Sequence, residues 1–388
     1  MKKGAKIKKS ILVLVLLLFL VQLVACTEDF DFDVNKTYSL KDYEQVGEKV
    51  TLKKKEYGGI SLSQSAFLEI SKSSVYKQEK QSALNLEDNT KLQMINCQVL
   101  SKGMALEAKG KETEVSLISS DLSSYGEYVA VLSQKAILTS SGTSFSNLEP
   151  KGKGLLITED ASALLNNVSI NAQDAAIESN ATVSLFDSEV NAGALRFFEG
   201  ASALIYNSRL FTQYGIQLTR KNSESSSPIN LDLDKIKIEA EKCAPVNVVD
   251  AEFKIKIIDS KIVKEKNDIV FLKNSQGILT FSKTTAKGDI NLDEFSSMTL
   301  IIKDSSDFKG SINSKNQEIN TSVQIENGST WSLTADSYIK SLVMVEENLS
   351  SIKSNGFNIY YDCECTKNFW LEDNYIDLPG GGKLIPLN

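Results

Sequence analysis

The chain has 388 residues, of which 41% are hydrophobic and 24% charged; this is enough for one large domain or two medium ones and is not a disordered composition. Its formal net charge is −7, and the five lysines ahead of residue 26 have no acid beside them, so the remainder is more acidic still; such a surface repels nucleic acid. Histidine is absent and the only arginines are Arg196, Arg209 and Arg220, which excludes Ser-His-Asp and Cys-His catalysis and His-ligated metals, and confines guanidinium clamps to one short region.

The first element is an address. Lys2, Lys3, Lys6, Lys8 and Lys9 form a positive segment, and Ile11 to Val21 is an unbroken apolar run, a length that suits a secretory segment better than a membrane span. It closes on Leu23-Val24-Ala25-Cys26. These four positions resemble the bacterial lipobox. The resemblance implies that residues 1–25 are a lipoprotein signal peptide and that Cys26 carries acyl chains (palmitate among them) as the first residue of the mature chain. It also implies an envelope protein that faces outward and meets the membrane through its lipid. Thr27 stands where many inner-membrane lipoproteins carry Asp, which favours the outer membrane in a cell that has two. No other segment is apolar enough to span a bilayer.

Residues 26–56 read as an acidic tether followed by an N-terminal cap. Asp29, Asp31 and Asp33 place three carboxylates at alternate positions, a pattern that suits calcium. Val34 and Leu40, however, occupy the places where an EF-hand type of loop needs Gly and Glu. No cofactor is otherwise indicated, and no metal-ligand set emerges.

From residue 57 to about 345 short alternating strands replace any 3.6-residue period. The motif apolar-x-apolar-x-(Asn/Asp/Ser)-(small)-x-apolar recurs with its last apolar position at Val75, Val99, Leu122, Phe145, Ile170, Val190, Leu210, Ile236, Ile262, Ala286, Phe308 and Trp331, at intervals of 20 to 26 residues. A period in this range signals a solenoid. Seven residues earlier stands an apolar column that runs from Leu68 to Ile301 and breaks at Gln324. Two residues earlier stands a small column: Ser73, Cys97, Ser120, Thr143, Val168, Ser188, Ser208, Asp234, Ser260, Thr284, Ser306 and Ser329. Small side chains suit a tight inward bend, and their hydroxyls are placed to bond one another up the axis. The expected fold is all-β: a right-handed parallel β-helix of about twelve coils, capped at both ends, forming a rod of roughly 55–60 Å at one strand spacing per coil. The spacing and columns resemble the pectate-lyase-like β-helix superfamily of surface proteins and polysaccharide enzymes. That resemblance covers residues 57–345, is one of architecture, and brings no catalytic motif.

Residues 346–388 read as a C-terminal cap built on Phe357, Ile359, Tyr361, Phe369, Trp370 and Leu371, with Gly380-Gly381-Gly382 ending the ordered pattern and all five prolines outside strand cores. Cys363 and Cys365 are a candidate disulfide for an oxidising compartment, although a bridge across one residue is strained. Cys97 reads as a buried thiol and Cys243 stands alone.

Two function classes remain. The first is a non-enzymatic surface lipoprotein whose rigid rod presents a lateral face to a glycan, or to a host or envelope protein, as an adhesin does. Its candidate binding residues are Arg196, Phe198, Tyr206, Arg209, Phe211 and Tyr214, the segment that gathers every guanidinium but Arg220 beside aromatic rings; stacked coils are expected to turn it into one patch. The alternative is an anchored, calcium-dependent polysaccharide lyase of pectate-lyase-like type. It needs acids meeting a cationic base, and Asp232, Asp234, Asp250 and Asp259 near Lys235 and Lys261 are the nearest approach to such a set. No catalytic set can be assigned.

Overall fold

The computed structural model describes residues 41–221, 227–315, 317–326, 328–345, 349–372 and 374–387. Residues 1–25, expected to be a signal peptide, Cys26, and Asp29, Asp31 and Asp33 of the expected tether lie outside the described residues.

The fold is a parallel β-helix. Each coil contributes a strand to face one, turns inward, adds a strand to face two, turns again and adds one to face three. Face one is a fourteen-stranded sheet that begins at Lys49–Lys53 and ends at Ser341–Met344. Face two starts at Glu56–Tyr57 and reaches Ile352–Lys353, and face three starts at Asp42–Val46. The strand Lys261–Lys273 runs through the corner, so faces two and three join there into one sheet. About fourteen turns result rather than twelve, because regular stacking already includes Asp42–Val46 and Lys49–Lys53 and extends to Ile352–Lys353.

The bend between faces one and two shows why the motif has its form. Lys72, Asn96, Ser119, Gly142, Asn167, Asp187, Asn207, Lys235, Asp259 and Lys283 all sit there with φ between 44° and 61°. Asn and Asp tolerate that left-handed conformation best among residues with a side chain. The following residue turns inward and must be small. Its hydroxyl does not bond the next hydroxyl, as the sequence suggested, but joins backbones. Ser188 Oγ accepts from the Val168 amide at 3.0 Å, and Ser208 Oγ from the Ser188 amide at 3.1 Å; Ser208 Oγ donates to the Tyr206 carbonyl at 2.8 Å. Each hydroxyl thus ties two coils at a place where the strand ladder is interrupted. A second small column, not apparent in the sequence, lines the bend before face one: Ala66, Thr90, Thr113, Ala136, Ala161, Ala181, Ala201, Ala251, Ser275 and Ser296 are all buried. Glycine is required at closer approaches: a Cβ on Gly154 would lie 2.2 Å from the Ala176 carbonyl oxygen.

Two register slips correct the sequence reading. Leu210 pairs with Ile238, and Ala203 with Leu231. Ile236 therefore fills the small column, and Asp234 ends a face-one strand beside Tyr206. Further on, Leu279 pairs with Leu300 and Leu300 with Val323, so Ile301 and Gln324 both point outward. The cause is one additional turn residue in each of these two coils: Asp304 and Ser305 both have positive φ in the first, and Gly328 has positive φ in the second.

The interior is filled along the rod by inward apolar side chains. Leu, Ile and Val dominate its first half, and Phe253, Phe281, Phe308 and Trp331 thicken its second. At the C-terminal end, Thr366–Leu371 forms a 3₁₀ helix beneath the last face-one strand. Asn368 accepts from the Leu342 amide at 2.9 Å and donates to the Lys340 carbonyl at 2.8 Å, and Trp370 Nε1 donates to the Leu342 carbonyl at 3.0 Å. These bonds occupy an edge that would otherwise template another chain. Trp370 and Leu371 pack against the core, whereas Phe369 is 64% exposed. Order does not stop at the triglycine: Lys383–Leu387 pairs in parallel with Ile359–Asp362 and antiparallel with Ile376–Asp377. Pro386 therefore does lie in a strand, beyond the pairs with Ile376–Asp377, where a missing N–H breaks no ladder.

Candidate ligand-binding surface

One coil is about as long as the 196–214 segment, so the segment wraps the rod instead of forming one patch. Arg196 and Phe198 lie on face three, Tyr206 ends a face-one strand, Arg209 and Phe211 open face two, and Tyr214 follows at the next corner. Tyr206 lies just before one bend, and Arg209 and Phe211 lie just after it. Tyr206 lies against Phe186 in a tilted arrangement with ring centroids 6.2 Å apart, and Arg209 is in register with Glu189. Each of the four aromatics is covered by an ammonium group: Lys221 over Phe198, Lys235 over Tyr206, Lys237 over Phe211 and Lys242 over Tyr214, at 5.1–5.8 Å. These rings hold lysines in place by cation–π attraction and are not open stacking platforms.

Arg196 is fully engaged. It forms a two-pronged pair with Asp174 at 2.6 and 3.0 Å, reaches Glu178 at 2.9 Å, and donates from Nε to Gln217 at 3.0 Å. Glu178 also accepts from the Tyr128 hydroxyl at 2.6 Å and pairs with Lys153 at 3.3 Å. The sequence reading missed this network, although coil spacing carries its signal: Tyr128 opposes Lys153, and Glu178, Arg196 and Gln217 share one outward column. Burial works against the Glu178 carboxylate, but the Tyr128 and Arg196 hydrogen bonds and the Lys153 and Arg196 charges outweigh it and lower its pKa. Burial and the bond to Glu178 push the Tyr128 hydroxyl up to about 12. An acid held ionised and a phenol held protonated are poor proton-transfer groups near neutral pH. The network is a stitch across coils.

The four aspartates do not converge. Asp232 faces Lys256 at 3.6 Å on face one, Asp234 ends a face-one strand, Asp250 bonds Asn274 at the bend before face one, and Asp259 lies at the other bend. Lys235 is turned to the Tyr206 hydroxyl at 3.1 Å, and Lys261 lies on face two. Among the described residues no three acidic, Cys or His side chains gather as a metal site. Cys97, Cys243 and Cys365 are free thiols, and Cys363 forms no disulfide with Cys365. Cys363 packs against the core while Cys365 caps the 3₁₀ helix, which separates the two side chains at the end of the strand. Burial pushes the Cys97 and Cys243 thiols up, the reverse of activation.

The bend between faces one and two forms an open groove of about 600 Å³. Its floor carries Thr143, Val168 and Ser188; Asp121, Ser144, Ser169, Glu189 and Arg209 rise along its rim. Asp121 and Glu189 are three coils apart, roughly 14 Å at strand spacing, too far for the about 5–9.5 Å that paired glycosidase carboxylates need. Desolvation in the groove raises the Asp121 pKa. The groove can offer hydroxyls, amides and one guanidinium to a ligand lying along the rod, which is the equipment of recognition.

Comparison with known protein families, with curated proteins and with solved structures finds no match.

Proposed function

We propose that this chain is a lipid-anchored protein of the bacterial envelope, and that its rod holds a lateral binding surface away from the membrane. The observation that carries this reading is the way the rod is filled. Every inward column is packed with apolar or small side chains, so recognition falls to the outer faces, and the bend between faces one and two is an open, polar groove. The anchor reading rests on the n-region, the apolar run and Leu23-Val24-Ala25-Cys26. Two or three acyl chains, at about 0.8 kcal/mol per buried methylene, hold a chain stably on a bilayer. Outward presentation to a glycan or extracellular protein, as an adhesin, follows from the same arrangement, and the likeness to pectate-lyase-like proteins is one of architecture.

Expression of the full chain with a clickable palmitate analogue tests the anchor. The wild type should incorporate the label and sediment with membranes. Cys26→Ala should take up none and either remain uncleaved or leave the membrane fraction. A Cys26→Ala protein that is cleaved yet stays on membranes would show that lipid is not what holds it.

A further inference from the structure

The outward residues around the bend between faces one and two divide by charge along the rod. In the coils from Asp121 to Glu189 the charged outward residues of this bend are the acids Asp121, Asp187 and Glu189, the last in register with Arg209. In the next three coils cations predominate there. Arg209, Lys237 and Lys261 occupy one outward column in three successive coils. Lys235 and Lys283 stand at the turn position beside them, with the acids Asp234, Glu239, Asp259 and Asp304 interspersed. Glu239 is held by Lys237 at 2.7 Å. Among the described residues Arg209 and Lys261 have no ion-pair partner, and both are exposed.

Like charges directly opposite in a ladder destabilise a sheet. Three in a row, in a chain whose net charge is −7, form a local basic strip that an anion relieves. The cations are also fixed before any ligand arrives: Lys235 by the Tyr206 ring and hydroxyl, Lys237 by Phe211 and Glu239. Their spacing is set by the strand ladder, about 4.8 Å per coil. A linear ligand with charges at close, regular intervals matches this; an isolated anion does not. Most of the strip is lysine, which binds as a point charge, with a single guanidinium fork at Arg209. Compact, densely charged sulfates suit such a row better than planar carboxylates, which favour arginine. Below Arg209 the strip ends at the groove, where Asp121, Asp187 and Glu189 would repel a polyanion and so set one end of its track.

We propose that the strip of Arg209, Lys235, Lys237, Lys261 and Lys283 binds a linear sulfated polysaccharide lying along the rod axis, on the side of Arg209 away from the acidic groove. This rests on the reading of the rod as a binding protein and names its ligand class.

The test uses the full chain in non-ionic detergent on immobilised dextran sulfate, with polygalacturonate and neutral dextran as comparisons. The wild type should be retained on dextran sulfate, less on polygalacturonate and not on neutral dextran, and added salt should elute it. Arg209→Gln with Lys261→Gln should weaken retention about tenfold, the loss of roughly one good charge contact, with an unfolding midpoint that is unchanged or raised because repulsion is relieved. Lys254→Gln with Lys256→Gln, on face one of the same region, makes the same change in net charge and should bind as the wild type does. Equal retention of the Arg209/Lys261 variant overturns the strip and leaves the anchored rod untouched. Stronger binding to polygalacturonate, equal binding to neutral dextran, or no binding at low salt overturns the sulfated ligand, while the Cys26 fractionation separately decides the anchor.

Discussion

Replacing Trp331 with alanine should destabilise the C-terminal third of the rod by about 3–5 kcal/mol, the range for removing a fully buried large aromatic side chain. Trp331 is completely buried, stacks on Phe308 with ring centroids 6.2 Å apart, and donates from Nε1 to the Gly310 carbonyl at 2.9 Å. Coils contact only their neighbours, so the loss should be local and the coils after Ser306 should open first. Hydrogen exchange read segment by segment checks this: faster exchange is expected in 321–344, with little change before residue 200. Trp331→Phe, which keeps the stack and loses the Nε1 bond, should cost much less. Uniform acceleration along the whole chain would mean that the rod unfolds as one unit and that the coils are not energetically separate.

Removing the Glu178 carboxylate should have the second largest effect. Its side chain is 8% exposed and serves Tyr128, Lys153 and Arg196. Glu178→Ala strands two half-buried cations, and about 3 kcal/mol is expected, the low end for a broken buried pair. The low end applies because Asp174 still holds Arg196 and both cations retain some solvent. The pH dependence has a definite sign. The pKa of Glu178 in the folded chain is lowered, so its contribution is fully present above the ordinary glutamate value of about 4.3 and is lost as pH falls through the lower folded value. Tyr128 and Lys153 are raised; their contributions are complete below the ordinary tyrosine and lysine values and fade only in alkali. Glu178→Gln should therefore flatten the acid limb of a stability-versus-pH curve measured by urea unfolding. An acid limb as steep as the wild type's would assign acid sensitivity to other carboxylates.

The repeat was legible in the sequence because its chemistry is local. A left-handed turn residue, a small residue and an inward apolar residue recur in fixed order, and the first seven anchors, Val75 to Leu210, pair in the structure as the spacing implied. The slip at Ile236 has a physical origin. In Ile229-Asn230-Leu231-Asp232-Leu233-Asp234 a shift of two residues keeps every side chain on its face, so alternation cannot tell Ile229 from Leu231. The slips at Ile301 and Gln324 are shifts of one, and the outward Gln324 would have shown them, had an extra turn residue at Ser305 and at Gly328 been allowed. The proposed binding surface was less legible. Proximity in sequence becomes proximity in space only across coils, at the repeat interval, so Arg209 meets Glu189 and Lys237 and is carried away from Arg196. Arg196 itself was a good marker of an unusual place, yet its partners Asp174, Glu178 and Gln217 lie in neighbouring coils.

The most direct test of a binding rod is to ask whether it alters what it holds. The full chain would be incubated with dextran sulfate and with polygalacturonate, with calcium and then with a chelator, and polymer length followed by size-exclusion chromatography. The account predicts that dextran sulfate travels with the protein and that both polymers keep their length under every condition. Progressive shortening of polygalacturonate with unsaturated new ends, stopped by the chelator, would contradict it and make the chain a calcium-dependent lyase, and shortening of dextran sulfate, which has no uronate to eliminate, would contradict it as hydrolysis.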